Sequence, residues 1–138
     1  MLALDLHRYP AGVNAAAIAV VDDEAPVRTA LRRLLRLASY DVQVFESGDA
    51  FLASVRERVP DCALLDVNLQ GLSGFEVHAR LNEAGWKIPV VFVTASDDPE
   101  LDDAARRAGG SQLLRKPFSN EALLAAVERA LGTKPKAS

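Results

Sequence analysis

Apolar residues fall in four short runs: Ala17-Ile-Ala-Val-Val21, Cys62-Ala-Leu-Leu65, Val90-Val-Phe-Val93 and the weaker Gln112-Leu-Leu114. None alternates with polar residues, so each is expected to be a strand buried on both faces. A fifth run, Asp41-Val-Gln-Val-Phe45, does alternate and is expected nearer a sheet edge. Helical periods fill the gaps. Residues 26–38 place Val27, Ala30, Leu31, Leu34, Leu35 and Ala38 on one stripe, with Arg28, Arg32, Arg33 and Arg36 mostly off it as a solvated face. Pro26 suits a first helical turn, where no backbone N–H is needed. Ser47 is placed to cap a helix that buries Phe51, Leu52 and Val55, and Ser73-Gly-Phe-Glu76 has the spacing of a capping box. A weaker stripe of Leu101, Ala104, Ala105 and Ala108 follows Pro99 and stops at Gly109-Gly110. Ser119 opens a last helix carrying Leu123, Leu124, Val127 and Leu131.

The order is strand then helix, five times over. Such alternation implies an α/β fold with a parallel sheet covered by helices on both faces. Right-handed crossovers leave few topologies. The doubly wound strand order 2-1-3-4-5 is the natural one at this size, and it puts a ligand outside the carboxyl ends of the strands. One domain over residues 16–131 is expected, between an N-terminal arm (1–15) and a polar tail or cut linker (132–138).

Composition narrows the chemistry. Sixteen basic against nineteen acidic residues leave a net charge of −3. That speaks against direct nucleic-acid binding by this chain and against a polybasic membrane contact. A single cysteine, Cys62, allows no internal disulfide, and no His/Cys cluster offers a zinc finger. No apolar run approaches the roughly 18 residues of a membrane span, and the start lacks a basic secretory n-region. A cytoplasmic protein is expected.

Polar residues collect at the same end of four strands. The first runs into Asp22-Asp23, the third into Asp66, the fourth ends at Thr94, and the fifth is followed by Lys116-Pro117. Taken singly, these read as a helix start, a turn, a strand end and a surface lysine. A parallel sheet brings all four ends together. Three close carboxylates repel and hold protons, and a hard cation such as Mg²⁺ relieves that with oxygen ligands. One carboxylate is then able to attack phosphorus, with the metal and Lys116 stabilising the charge on the transferring group.

The segments Val20-Val-Asp-Asp-Glu24, Leu64-Leu-Asp-Val-Asn68, Gly71-Leu-Ser-Gly74, Val90-Val-Phe-Val-Thr-Ala95 and Arg115-Lys-Pro-Phe118 together resemble a CheY-like receiver domain of bacterial two-component response regulators, over roughly residues 16–131. The Gly-Leu-Ser-Gly and Arg-Lys-Pro-Phe segments are most similar to FixJ-type receivers. The resemblance implies a flavodoxin-like (βα)₅ fold and a phosphorelay switch with no separate metabolite to turn over. It implies Asp66 as the acceptor of a phosphoryl group from a sensor histidine kinase or phosphotransfer protein. Asp22, Asp23, Asp66 and the Asn68 carbonyl would serve Mg²⁺, Asp22 largely through water. Thr94 would bond a phosphoryl oxygen, with small Ala95 leaving it reachable. Lys116 would pair with the phosphoryl group and precede a cis proline, and Gly74 would fit a tight backbone position. The first helix would dock the kinase, and the face of the fourth helix, fifth strand and fifth helix would switch and offer a homodimer contact.

Two positions depart from the family pattern. Leu113 stands where an aromatic is usual three residues before the lysine, which is expected to alter signal transmission. Gln70 replaces a frequent proline four residues after the acceptor. Elsewhere, His78 is expected at the surface, Cys62 in the core, and Trp86 half-buried against the domain. Two other readings compete. A non-phosphorylated pseudo-receiver would be a pure interaction module. A haloacid-dehalogenase-type phosphatase would need an acid at Asn68, and an amide does no acid–base work. Whether the chain is a complete regulator or the receiver part of a DNA-binding one stays open.

Overall fold

The computed structural model describes residues 15–109 and 112–132. The strands are Ala17–Val21 (β1), Asp41–Phe45 (β2), Cys62–Asp66 (β3), Val90–Thr94 (β4) and Gln112–Arg115 (β5). Between and after them run the helices Ala25–Leu37 (α1), Gly48–Val55 (α2), Gly74–Glu83 (α3), Glu100–Arg107 (α4) and Asn120–Gly132 (α5). All strand pairs are parallel, in the order β2-β1-β3-β4-β5. This is the doubly wound (βα)₅ arrangement expected from the alternation of patterns. Apart from residue 15 and Gly132, the expected arm (1–15) and tail (132–138) lie outside the described residues.

The strands split the core by their period of two. Ala19 and Val21 of β1, with Ala63 and Leu65 of β3 and Phe92 of β4, pack against Phe51, Val55, Val77, Leu81 and Ala105 from α2, α3 and α4. Ile18, Val20, Cys62, Leu64 and Val91 face the other way, onto Leu31 and Leu35 of α1 and Leu123, Ala126 and Val127 of α5. Both layers exclude water from the three central strands, which explains their unbroken apolar runs.

The expected caps are in place. Ser47 Oγ accepts from the Ala50 N–H, Ser73 and Glu76 form the reciprocal capping box, and Ser119 Oγ accepts from the Ala122 N–H. Pro26 stands in the first turn of α1. Cys62 is fully buried, and Trp86 is half-buried against the layer of α2, α3 and α4.

Three local expectations are corrected. β5 is half-buried along its whole length, because it pairs only with β4 and forms the sheet edge opposite β2. Arg28 is half-buried, and its guanidinium donates to the Asp22 carbonyl at 2.8 Å; Arg32, Arg33 and Arg36 are exposed as expected. His78 is buried, with its ring edge-on to Phe92 at 5.6 Å. It shares a stripe with Gly74, Val77 and Leu81 at i, i+3, i+4 and i+7, all four buried. Among the described residues no helix is long and apolar enough to cross a membrane.

Candidate functional site

The carboxyl ends of β1, β3, β4 and β5 open onto one acidic pocket. Asp22 follows β1 directly and is 2% exposed. Its N–H donates to the Phe45 carbonyl, and its Oδ1 accepts from the Glu24 N–H at 2.9 Å. The acidic pair does not cap α1; Glu24 holds that place, without a side-chain bond. Asp23 beside it is half-buried.

Asp66 ends β3, and its Oδ1 accepts from the Asn68 N–H at 3.0 Å. The start of α3 presses against it. A β-carbon on Gly74 would lie 2.5 Å from the Asp66 carbonyl oxygen, so only glycine fits there.

Lys116 reaches across from the far side of the sheet. Its Nζ lies 3.3 Å from Asp22 Oδ2 and 3.8 Å from Asp66 Oδ2. Its N–H donates to the Thr94 carbonyl at 2.7 Å, and its bond to Pro117 is cis. Thr94 is fully buried at the end of β4. The Thr94 hydroxyl donates to Asn68 Oδ1 at 3.1 Å and accepts from the Ser96 N–H at 3.0 Å. Ala95 is exposed, leaving the pocket open on that side.

Oxygen atoms of Asp22, Asp23 and Asp66 lie within 4.8 Å of one another. One ammonium among three carboxylates leaves a negative excess. Burial first, then the charge of Asp22, push the Asp66 carboxyl up to about 6, against the opposing pull of the Asn68 N–H and Lys116. An all-oxygen donor set of this kind suits a hard divalent cation rather than a thiophilic metal.

The pocket therefore gathers Asp22, Asp23, Asp66, Thr94 and Lys116, with Asn68 on its rim. Sequence reasoning missed two of its features. The Asn68 side chain accepts from the Thr94 hydroxyl, a pairing between segments 26 residues apart that leaves no local trace. In the sequence Arg115 stands out only as part of the Arg-Lys-Pro-Phe segment, yet it binds the segment after Thr94. Its place on the Leu113 side of β5 by the period of two was the available signal.

A family model described as the response regulator receiver domain matches residues 18–128. The chain belongs to that family and is a receiver domain of two-component response regulators. It is 41% identical over 118 residues to the transcriptional regulatory protein TdiR of Thauera aromatica, covering 86% of this chain and 52% of TdiR. With the response regulator protein TmoT of Ectopseudomonas mendocina it shares 36% identity, over 95% of this chain and 63% of TmoT. The chain thus spans about half to two thirds of these relatives. A solved receiver protein from Burkholderia phymatum superposes with a TM-score of 0.75 at 41% identity, covering 85% of this chain and 95% of that one. The chemotaxis protein CheY4 of Vibrio cholerae gives 0.78 at 29% identity, over 85% of this chain and 99% of CheY4.

Proposed function

We propose that this receiver accepts a phosphoryl group on Asp66 from a histidine kinase or phosphotransfer protein. The observation that carries this reading is the convergence of Lys116 on both Asp22 and Asp66. An attacking carboxylate, an acidic cluster and a fixed cation share one open pocket. Asp22, Asp23 and Asp66, with the Asn68 carbonyl, are the residues to hold Mg²⁺, whose charge would offset theirs and that of an incoming phosphoryl group.

A carboxylate oxygen of Asp66 bonds to phosphorus as the P–N bond to the donor histidine breaks, and the imidazole departs with a proton. Lys116 Nζ pairs with a phosphoryl oxygen. The Thr94 hydroxyl leaves Asn68 and donates to a second one. Hydrolysis returns the carboxylate, so the domain assists its own phosphorylation and dephosphorylation and turns over no other substrate. Asp22 keeps Lys116 in reach, and Gly74 lets α3 start close behind Asp66.

Beside the pocket, Pro26, Val27, Ala30, Leu31, Leu34 and Phe118 line an apolar groove of about 440 Å³. It supports docking of the phosphodonor against α1. A cytoplasmic location, the span 16–131 for the domain and a homodimer through α4, β5 and α5 belong to the same reading. So does a regulator whose further part lies outside this chain, as the lengths of TdiR and TmoT support. The phosphatase alternative is disfavoured by the amide at Asn68, which accepts from Thr94.

Incubation with acetyl phosphate and Mg²⁺, followed by intact mass measurement, tests the proposal. One added phosphoryl mass is expected on the wild type and none on Asp66→Asn. No adduct on the wild type favours the pseudo-receiver reading, and an adduct that survives the substitution overturns the site.

A further inference from the structure

The segment between β4 and α4 forms one rim of the pocket and is exposed over residues 97–99. One side chain from β5 holds it at three points. Arg115 Nε donates to the Ser96 carbonyl at 3.2 Å, and one terminal nitrogen donates to the Asp98 carbonyl at 2.6 Å. The other terminal nitrogen donates to Asp102 Oδ1, in the first turn of α4, at 3.2 Å. The guanidinium spends all three of its nitrogens on three residues of one segment, which its planar fork permits and an ammonium does not.

The neighbouring contacts connect this clamp to the site. Ser96, held by Arg115 at its carbonyl, gives its N–H to the Thr94 hydroxyl. Lys116, the next residue, gives its N–H to the Thr94 carbonyl and its ammonium to Asp22. The last residue of β5 and the one after it therefore grip Thr94 from both ends, Lys116 by the main chain and Arg115 through Ser96. Leu113, on the same side of β5, packs against the apolar layer and has no polar group to share the task.

We infer that Arg115 is a positioning residue that sets the direction of the Thr94 hydroxyl through Ser96 and ties the first turn of α4 to the pocket. When Thr94 changes partner, Ser96 must follow, and Arg115 carries that shift to Asp98 and Asp102. The α4 half of this inference rests on Asp66 being the phosphoacceptor; the clamp itself does not.

Two measurements on the full chain separate these halves. Amide hydrogen exchange without Mg²⁺ or phosphodonor reads the clamp alone. Arg115→Lys and Arg115→Gln are expected to speed exchange over residues 96–102 by about tenfold or more, leaving the central strands unchanged. Unchanged exchange there overturns the inference. If neither variant folds, Asp102→Ala, which has no acceptor for the guanidinium, removes one arm only and is expected to give about a threefold increase confined to the same residues; no increase overturns it. Amide chemical shifts with acetyl phosphate and Mg²⁺ read the second half. The wild type is expected to shift at Thr94, Ser96 and along α4, while Arg115→Lys takes the phosphoryl group but loses the α4 shifts. Persistence of those shifts overturns the link to α4. Absence of any adduct on the wild type overturns the acceptor reading and leaves the exchange result standing.

Discussion

Gly74 starts α3 so close to Asp66 that a β-carbon on it would meet the Asp66 carbonyl oxygen at 2.5 Å and the carbonyl carbon at 3.0 Å. The atoms it would strike are backbone at the end of a central strand, with no side chain to swing away. Gly74→Ala is therefore expected to cost about 1–3 kcal/mol, as overpacking does, and to displace Asp66. Urea unfolding gives the first number, and the rate of adduct formation with acetyl phosphate gives the second. Wild-type values for both would show that α3 moves aside freely.

Asp66 carries a pH dependence whose sign is fixed by its surroundings. Its carboxyl titrates near 6 in the folded chain, against an ordinary 3.8. The folded state thus holds this proton more tightly than the unfolded one. The resulting stabilisation is complete below pH 3.8 and is lost as pH rises through about 6. Asp66→Asn, which does not titrate, should be more stable than wild type at pH 7 by on the order of 2 kcal/mol. The gap should close as pH is lowered toward 4. Denaturant melts without Mg²⁺ check this, and a less stable Asn variant at pH 7 contradicts it.

Mg²⁺ should narrow that gap from the other side. An ion that binds only the folded protein stabilises it by about 2.7 kcal/mol at a hundred times its dissociation constant. Saturating Mg²⁺ is expected to raise the melting temperature of the wild type and to do so much less for Asp23→Asn or Asp66→Asn. Amide shifts should concentrate at residues 22–24 and 66–68. Trp86 precedes β4, at the end of the sheet away from the pocket, so its fluorescence should stay flat through the titration.

His78 acts in the opposite sense to Asp66. Burial against Phe92 holds its pKa below the ordinary 6.5. The unfolded chain then binds the extra proton, so stability is lost as pH falls through 6.5 toward the folded value. Because Asp66 gains stability over the same interval, the effect is best read in an Asp66→Asn background. There, stability should decline between pH 7 and 5.5 (a window about 6.5), and adding His78→Gln should remove the decline. An equal decline in both proteins would assign it elsewhere.

Much of this was legible along the chain. Unbroken apolar runs marked β1, β3 and β4 because a strand covered on both faces needs no polar alternation. Alternation in β2 marked an edge for the same reason. Asp22, Asp66, Thr94 and Lys116 drew notice by following strands that a parallel sheet aligns, and the structure places them in one pocket. Packing between distant elements decided the rest. His78 is buried because the stripe it shares with Gly74, Val77 and Leu81 lies on Phe92, and β5 is half-exposed because it has one neighbour.

Local order along the chain determined which residues form each strand and helix, and at which strand ends the acids and the lysine stand. That information is periodic, and the period survives in the sequence. Only the tertiary structure decided that Asn68 takes the Thr94 hydroxyl and that Arg115 holds Ser96, Asp98 and Asp102. A side-chain hydrogen bond between separate elements depends on distances of a few tenths of an ångström between segments far apart in the chain, and no spacing of residue types encodes those.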